Sequence, residues 1–128
     1  MKSEFLKRML HIARRAGEIS LENIDDSSPT FKPDESILTK TDSEISRLTH
    51  EVLADFLKQK EHILVDEEDE NRSRFLNEEI LNSTPYLWAL DPIDGTRAYA
   101  NRMPHFGVSL GLLKDLKPWL GMVYCPYL

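Results

Sequence analysis

Cysteine is nearly absent from this sequence, because Cys125 is the single one among 128 residues. A lone cysteine excludes an internal disulfide framework and is typical of a reducing compartment. Long apolar runs are also missing, since no stretch approaches the roughly 20 apolar residues of a transmembrane helix. The basic N-terminus is interrupted by acids and no apolar segment follows it, which is unlike a signal peptide. We therefore expect a cytoplasmic protein with no membrane partner.

Positive charge is scarce relative to negative charge. The 16 Lys and Arg residues face 22 Asp and Glu residues, a net charge of −6, which argues against nucleic acid as a partner. Hydrophobic residues make up 41% of the chain, enough for a folded core, and the length fits one domain. His11, His50 and His62 are expected on helix or strand surfaces without cysteine or histidine partners, so the sequence predicts no zinc site.

Apolar periodicity predicts two helices in the first half of the chain. Apolar residues recur at helical spacing over about residues 3–24 and again over 43–58. Either Thr41 or Asp42 is suited to cap the second helix. The segment 24–36 between the helices holds two prolines and several small polar residues, which is typical of a loop.

The second half of the chain is predicted to be mostly β-structure. Short apolar runs at 62–66 and 86–91 are typical of buried strands, and 106–114 with 118–125 is typical of a hairpin. A short helix is expected from Gly95 onward. The predicted fold class is therefore α+β, with helices packed on a largely antiparallel sheet. The last predicted strand ends three residues before the chain does, so we expect further structure to follow.

The stretch DPIDGT, residues 91–96, holds more chemistry than a turn requires. An ordinary turn needs one Asp and a Gly. Here Asp91 and Asp94 flank a proline, which should prevent the backbone from continuing as a central strand. Both carboxylates and the Ile93 carbonyl can converge on one point, and these are the hard oxygen ligands that Mg²⁺ or Mn²⁺ prefers.

The residues after these acids are typical of a phosphate site. Gly95 permits close backbone approach, and the amides of Gly95 and Thr96 open the predicted short helix, where free N–H groups attract anions. Metal ligands beside such amides indicate metal-assisted phosphoryl transfer. The acid run at 66–70 follows the preceding strand and can bring another carboxylate to the same edge. The alternative interpretations are an Asx-turn with a helix N-cap for 91–96 and a solvated face for 66–70.

Several segments together resemble a known family. WALDPIDGTRAY, residues 88–99, resembles the WxxDPIDGTxxF signature of the inositol monophosphatase superfamily. LTKTD at 38–42 and VDEED at 65–69 resemble its VTxxD and G-E-E segments, and the predicted hairpin resembles the one that follows them. The resemblance implies that residues 1–128 form the N-terminal α+β domain of the family's αβαβα sandwich, with the C-terminal α/β domain absent.

The resemblance implies a Mg²⁺ site of two or more ions. Glu67, Asp91 and the Ile93 carbonyl would hold the first ion. Asp91 and Asp94 would hold the second, and Mn²⁺ is an expected substitute for Mg²⁺. Lithium should inhibit such an enzyme.

The resemblance also implies a reaction, the hydrolysis of the phosphomonoester of a small metabolite. The implied catalytic residues are Asp42, Thr96 and Glu67. Thr96, hydrogen-bonded to Asp42, would position the attacking water and help to deprotonate it, while the amides of Gly95 and Thr96 would bind the phosphate. Inositol phosphates, histidinol phosphate, sugar phosphates and nucleotide bisphosphates are all open as substrates, and a homo-oligomer is expected.

Two departures from the family pattern leave alternatives open. Asp66 stands where the family usually has glycine, so the register of the acid run is open and Glu68 is the alternative to Glu67 as a ligand.

The family's second half carries a W-D-x-A segment whose Asp completes the metal site, and no such segment follows Lys114. The alternative function is a natural or artificial truncation that folds and associates but has little turnover. A Ca²⁺-binding or acidic interaction module would leave 91–96 unexplained, and the D-x-D-x-D-G spacing is lacking.

Overall fold

The computed structural model describes residues 2–26, 29–32 and 37–127. The first helix, α1 (Lys2–Asn23), confirms the helix predicted over 3–24. Most of its apolar residues fall on one face and are buried, as the periodicity requires, whereas Leu6, Leu10 and Leu21 are exposed. These buried residues include Phe5, Met9, Ile12, Ala16 and Ile19. Within the described ranges, no helix is long and apolar enough to span a membrane.

A short ribbon occupies part of the segment that was expected to be a loop. β1 (Thr30–Phe31) pairs antiparallel with β2 (Ile37–Leu38), so the prediction of a loop throughout 24–36 is wrong for β1. The Thr30 hydroxyl adds a hydrogen bond to the Leu38 carbonyl at 3.2 Å. Residues 27–28 and 33–36 of that predicted loop lie outside the described residues.

The helix predicted over 43–58 is interrupted. α2 (Lys40–Val52) is followed by the single turn α3 (Ala54–Leu57), so the prediction is wrong about both the start and the continuity of this helix. Arg8 Nη1 donates to the Val52 carbonyl at 2.7 Å, and a side chain inserted into the backbone ladder bends a helix. The interruption therefore comes from a contact with α1, which the local sequence does not reveal.

Helix α2 begins earlier than predicted because its cap is Thr39. The Thr39 amide and hydroxyl both donate to Oδ2 of Asp42, at 2.8 and 2.6 Å, in a capping box. The Thr41 hydroxyl is instead hydrogen-bonded to the Tyr99 hydroxyl at 2.8 Å. Neither Thr41 nor Asp42 is the N-cap, and Asp42 serves the cap from the third helical position.

Four strands form the main sheet, in the order β3-β4-β5-β6. They are β3 (His62–Asp66), β4 (Tyr86–Asp94), β5 (Gly107–Lys114) and β6 (Lys117–Tyr124). β3 and β4 are parallel, whereas β4 with β5 and β5 with β6 are antiparallel. The predicted α+β class and largely antiparallel sheet are confirmed, with one parallel pair at one side of the sheet.

Strand β4 passes through Pro92, where the sequence predicted that it would end. That expectation is wrong because the pairing with β5 shifts its register between Asp91 and Asp94. A bulge of this kind leaves backbone groups outside the ladder, so it accepts a residue that has no amide hydrogen. The strand therefore carries both acids of the motif.

The remaining elements are short. α4 (Glu78–Ser83), which the sequence analysis missed, precedes β4, and α5 (Thr96–Ala100) follows it as predicted. The hairpin of β5 and β6 is also confirmed. Its turn residues Asp115 and Leu116 have φ values of 51° and 63°, and two positive φ angles are characteristic of a type I′ turn. Two 3-10 turns complete the chain, Ile24–Asp26 and Arg72–Phe75.

The core lies between the helices and one face of the sheet, with aromatic rings at one end. Phe5 packs edge-to-face against Phe56, Tyr86 and Trp88. His62 stacks on both Phe56 and Tyr86, and its Nδ1 accepts a hydrogen bond from Trp88 Nε1 at 3.1 Å. His62 is only 6% exposed, so the expectation of a surface position is wrong. The surrounding rings, contributed by several elements, cover it.

Helix α1 also packs closely against the last strand. A side-chain carbon at Gly17 would collide with the ring of Tyr124, so the contact requires glycine. This contact joins the first helix to β6.

The buried His62 should make folding stability depend on pH. Burial lowers the pKa of His62 below its ordinary value, although the charges of Glu61 and Asp55 oppose the shift. Because the folded pKa lies below the unfolded value of about 6.5, stability present above that pH is lost as the pH falls toward the folded pKa. We expect the melting temperature to drop between pH 7 and pH 5, and His62→Phe to flatten that slope. His11→Phe, at an exposed position on α1, is the matched control, and equal slopes in all three proteins would contradict the prediction.

Candidate metal and phosphate site

The parallel pairing of β3 and β4 brings two acids to one edge of the sheet. Asp66, the last residue of β3, is paired with Leu90, and the Glu67 amide donates to the Leu90 carbonyl at 3.0 Å. Asp91 is the next residue along β4. Because parallel strands run in the same direction, Glu67 and Asp91 leave neighbouring strands at the same level, and the sheet itself brings them together.

A cavity of about 260 Å³ opens at this edge. In a regular strand Asp91 and Asp94, three residues apart, would point to opposite faces. The bulge at Pro92 interrupts that alternation, and both acids line the cavity. Its full lining is Lys32, Glu67, Asp91, Ile93, Asp94, Gly95, Thr96 and Arg97. Every residue predicted to bind metal or phosphate thus lies at one cavity.

Asp91 carries the strongest electrostatic signal at this cavity. Burial raises the pKa of its carboxyl to about 8, reinforced by the adjacent carboxyl of Glu67 and by the charges of Asp94 and Glu68. Its Oδ1 is buried and has no hydrogen-bond partner within the described residues. A buried acceptor normally has a partner, so this oxygen is suited to a cation.

The donor set around Asp91 fits a hard divalent cation. It consists of the carboxylates of Glu67, Asp91 and Asp94 and the nearby backbone of Ile93, and oxygen ligands of this kind suit Mg²⁺ or Mn²⁺. In the described part of the chain, no three His, Cys, Asp or Glu side chains are already gathered as a metal site. A bound cation would offset the mutual repulsion of these carboxylates.

A second pair of side chains lies behind the cavity. Thr96 Oγ1 is 3.2 Å from Oδ1 of Asp42 and 2.9 Å from the Ile93 carbonyl oxygen, and its one hydrogen serves these acceptors in turn. Asp42 is completely buried, and burial raises its pKa although the bonds from Thr39 and Thr96 oppose that shift. The predicted pairing of Thr96 with Asp42 is present in the structure.

Gly95 is required by the backbone geometry at the start of α5. Its φ is +88°, which side chains rarely adopt, and a Cβ there would lie 2.6 Å from the His105 carbonyl oxygen. Helix α5 begins at Thr96, so the first amides of this turn have no acceptor within the helix. The residues that carry the predicted phosphate amides, Gly95 and Thr96, thus line the same cavity as the acids.

The two candidate glutamates of the acid run have different surroundings. Glu67 lines the cavity beside Asp91. Glu68 is 7% exposed and forms an ion pair with Lys32 at 2.8 Å, and burial raises its pKa. Glu67 therefore occupies the position expected of a ligand, while Glu68 already has a cationic partner.

Lys32 is a lining residue that the sequence analysis missed. It directly follows β1 and lies both on the cavity and against Glu68. The only local signal was a lysine within a segment predicted to be a loop. The β1–β2 ribbon that delivers Lys32 is too short to produce a periodic pattern.

A family profile and curated sequences both relate this chain to phosphatases of one family. Residues 1–128 match the profile described as the inositol monophosphatase family. A fructose-1,6-bisphosphatase/inositol-1-monophosphatase of Aquifex aeolicus is 30% identical over 97% of this chain and 46% of its own length. The 3′(2′),5′-bisphosphate nucleotidase CysQ of Salmonella typhimurium is 28% identical over 96% of this chain and 48% of its own length. The chain thus spans about half the length of the curated relatives it matches.

A solved structure supports the fold independently. A staphylococcal inositol monophosphatase-1, determined as an inhibitory complex after soaking in LiCl, superimposes with a TM-score of 0.78 at 22% identity. The match covers 98% of this chain and 45% of the staphylococcal one. With the profile matched over the whole sequence and the same fold found in a solved relative, the chain belongs to the inositol monophosphatase family, of which it corresponds to about the N-terminal half.

Proposed function

We propose that this chain carries the metal- and phosphate-binding part of a Mg²⁺-dependent phosphatase that hydrolyses phosphomonoesters of small metabolites. The observation that carries the proposal is Asp91 Oδ1, buried without a partner in the described structure, in one cavity with Glu67 and Asp94. A buried anionic oxygen without a partner is costly, and a bound cation would remove that cost. Arg97 also lines the cavity and adds positive charge, which favours an anionic ligand beside the metal.

The proposed metal ligands are the carboxylates of Glu67, Asp91 and Asp94 and the carbonyl of Ile93. Two or more Mg²⁺ ions are the expectation from the family, with Mn²⁺ as a substitute. When bound, the ions would lower the pKa of a coordinated water and neutralise charge on the phosphoryl oxygens. The carboxylates themselves hold the negative charge that makes this cavity selective for cations.

Thr96 is proposed to hold the attacking water. When its hydroxyl donates to Asp42, the lone pairs on Oγ1 are free to accept a hydrogen bond from water in the cavity. Asp42 acts through Thr96 and is therefore a positioning residue. Its orientation is set by the Thr39 amide and hydroxyl, which donate to the other carboxylate oxygen.

The phosphate is proposed to lie against the amides of Gly95 and Thr96, with the Arg97 guanidinium nearby. A Cβ at position 95 would lie 2.6 Å from the His105 carbonyl oxygen, so the turn that presents these amides requires glycine. The named relatives act on inositol monophosphate, fructose 1,6-bisphosphate or bisphosphate nucleotides, which are all phosphate esters of small metabolites. We propose that class and no single member of it.

The second candidate function is the alternative left open by the sequence analysis, a folded unit with little turnover of its own and a structural or associating role. The expectations of a homo-oligomer and of a cytoplasmic location rest on the sequence alone. Metal binding and turnover, measured separately, distinguish the two functions.

Metal uptake tests the proposed ligands directly. Calorimetric titration of this chain with Mn²⁺ or Mg²⁺ should show saturable binding, and Asp91→Asn should weaken it by at least about tenfold because a central anionic ligand is lost. Asp115→Asn removes the same charge from the exposed β5–β6 turn and should bind as the wild type does. Equal affinities for the wild type and Asp91→Asn would contradict the proposed ligand role.

The metal-free protein should become less stable as the pH rises. The folded pKa of Asp91, about 8, lies above the unfolded value, so its contribution to stability is present at low pH and is lost as the pH rises through about 8. At pH 9 and with EDTA present, Asp91→Asn should therefore melt above the wild type, by roughly 4 °C or more. Saturating Mn²⁺ should raise the wild-type melting temperature and leave that of Asp91→Asn nearly unchanged. A wild type that melts above Asp91→Asn at pH 9 with EDTA would contradict the destabilising burial of the Asp91 carboxylate beside Glu67 and Asp94.

Turnover should depend on the Thr96 hydroxyl. We expect Thr96→Ala to lower kcat roughly 10²–10³-fold with a smaller change in KM, because the group that orients the water is lost. Thr96→Ser retains the hydroxyl and should restore most of the rate. The assay is phosphate release from inositol 1-phosphate, fructose 1,6-bisphosphate and adenosine 3′,5′-bisphosphate in Mg²⁺.

The same assay separates the two functions. Activity should be abolished by EDTA and inhibited by lithium, the ion soaked into the staphylococcal relative. Metal binding without release of phosphate from any of the three esters would favour the folded unit with little turnover. Turnover insensitive to both EDTA and lithium would contradict the metal-dependent mechanism.

A further inference from the structure

Three polar side chains form a stripe along one face of α2. Asp42, Ser46 and His50 are spaced four residues apart, which places them one above another on a helix. Asp42, at the first turn, is hydrogen-bonded by Thr96. Ser46 and His50, one and two turns further on, both contact Asp66 at the end of β3.

Asp66 is buried, with 1% of its surface exposed, and its oxygens are engaged on both sides. Its Oδ2 accepts a hydrogen bond from the Ser46 hydroxyl and lies 3.4 Å from His50 Nε2. Its Oδ1 accepts from the Glu68 amide at 2.9 Å, and its backbone carbonyl accepts from the Asp69 amide at 3.0 Å. The side chain thus connects α2 to the turn that follows β3.

Glu67 lies inside this fixed turn. Its own amide is held by the Leu90 carbonyl, and the next amide, that of Glu68, is held by Asp66. With the backbone fixed on both sides, the two glutamates leave it in set directions, Glu67 toward the cavity and Glu68 toward Lys32.

The burial of the Asp66 carboxylate is energetically unfavourable unless its contacts compensate for it. Removing a carboxylate from water costs several kcal/mol unless it is well paired, and a glycine would spare that cost. The family pattern described above usually has glycine at this position, so Asp66 is a feature of this chain. Its side chain contacts Ser46 and His50 on α2 and the Glu68 amide in the acid turn.

We propose that Asp66, held by Ser46 and His50, is the positioning residue that aims Glu67 at the metal site. The stripe on α2 then sets both sides of the site from one helix, with Thr96 fixed through Asp42 and Glu67 fixed through Asp66. This inference rests on the proposed metal-binding function. It assigns a role to Asp66, Ser46 and His50, which lie outside the family signature at 88–99.

The test measures Mn²⁺ affinity by calorimetry, together with thermal melts. Asp66→Gly should weaken Mn²⁺ binding about 10- to 100-fold, the usual effect of removing a group that orients a metal ligand. Ser46→Ala should weaken it several-fold. If both act through one contact, the double variant should bind no more weakly than Asp66→Gly alone, which a general loss of stability would not produce.

A metal-free measurement accompanies the titration. The Glu68 amide should exchange its hydrogen faster in Asp66→Gly than in the wild type, because it loses its acceptor. Glu51→Gln is the matched control, since Glu51 lies on the exposed face of α2 and pairs only distantly with Arg47, at 4.0 Å. This control should bind Mn²⁺ as the wild type does and leave Glu68 exchange unchanged.

The outcomes separate this inference from the function on which it rests. A wild type that takes up no Mn²⁺ would overturn the proposed function, and the inference with it. A wild type that binds Mn²⁺ while Asp66→Gly binds equally well would overturn only the inference. If Asp66→Gly fails to fold, Ser46→Ala and His50→Gln decide, and unchanged Mn²⁺ affinity in both would overturn the role of the stripe.

Discussion

The hydrogen bond from the Glu67 amide to the Leu90 carbonyl extends the only parallel strand pair of the main sheet, and the candidate site depends on that pairing. An antiparallel partner would have carried the acid run to the opposite edge, away from Asp91. With the two strands parallel, both acids reach the same edge, and the cavity forms where the strands end. The site therefore depends on the direction in which β3 runs relative to β4.

The site is assembled from features that are unfavourable in isolation. Pro92 removes a backbone donor from a strand, and Asp91 is buried beside like charge. Both cost free energy, and such costs are concentrated at functional positions in many proteins. The core between the helices and the sheet supplies the compensating burial, with Phe5 and Trp88 completely buried at its aromatic end.

The sequence predicted what depends on local residue chemistry, and it failed where distant contacts decide. The stretch DPIDGT and the acid run at 66–70 were enough to predict which residues lie together at the cavity, because that prediction follows from residue type and order. The break at Val52 was missed because Arg8, in another helix, takes the carbonyl. The buried His62 was missed because its aromatic cover comes from several elements. Lys32 was missed because its ribbon pairs only two residues with two.

The close contact of Gly17 with the Tyr124 ring has a consequence for synthesis of the chain. Helix α1 is synthesised before β5 and β6, and part of its buried face packs against both strands. Contacts of such long sequence separation form slowly. During translation the residues of α1 that pack against this hairpin therefore stay uncovered until it emerges, a period in which a chaperone has a surface to bind.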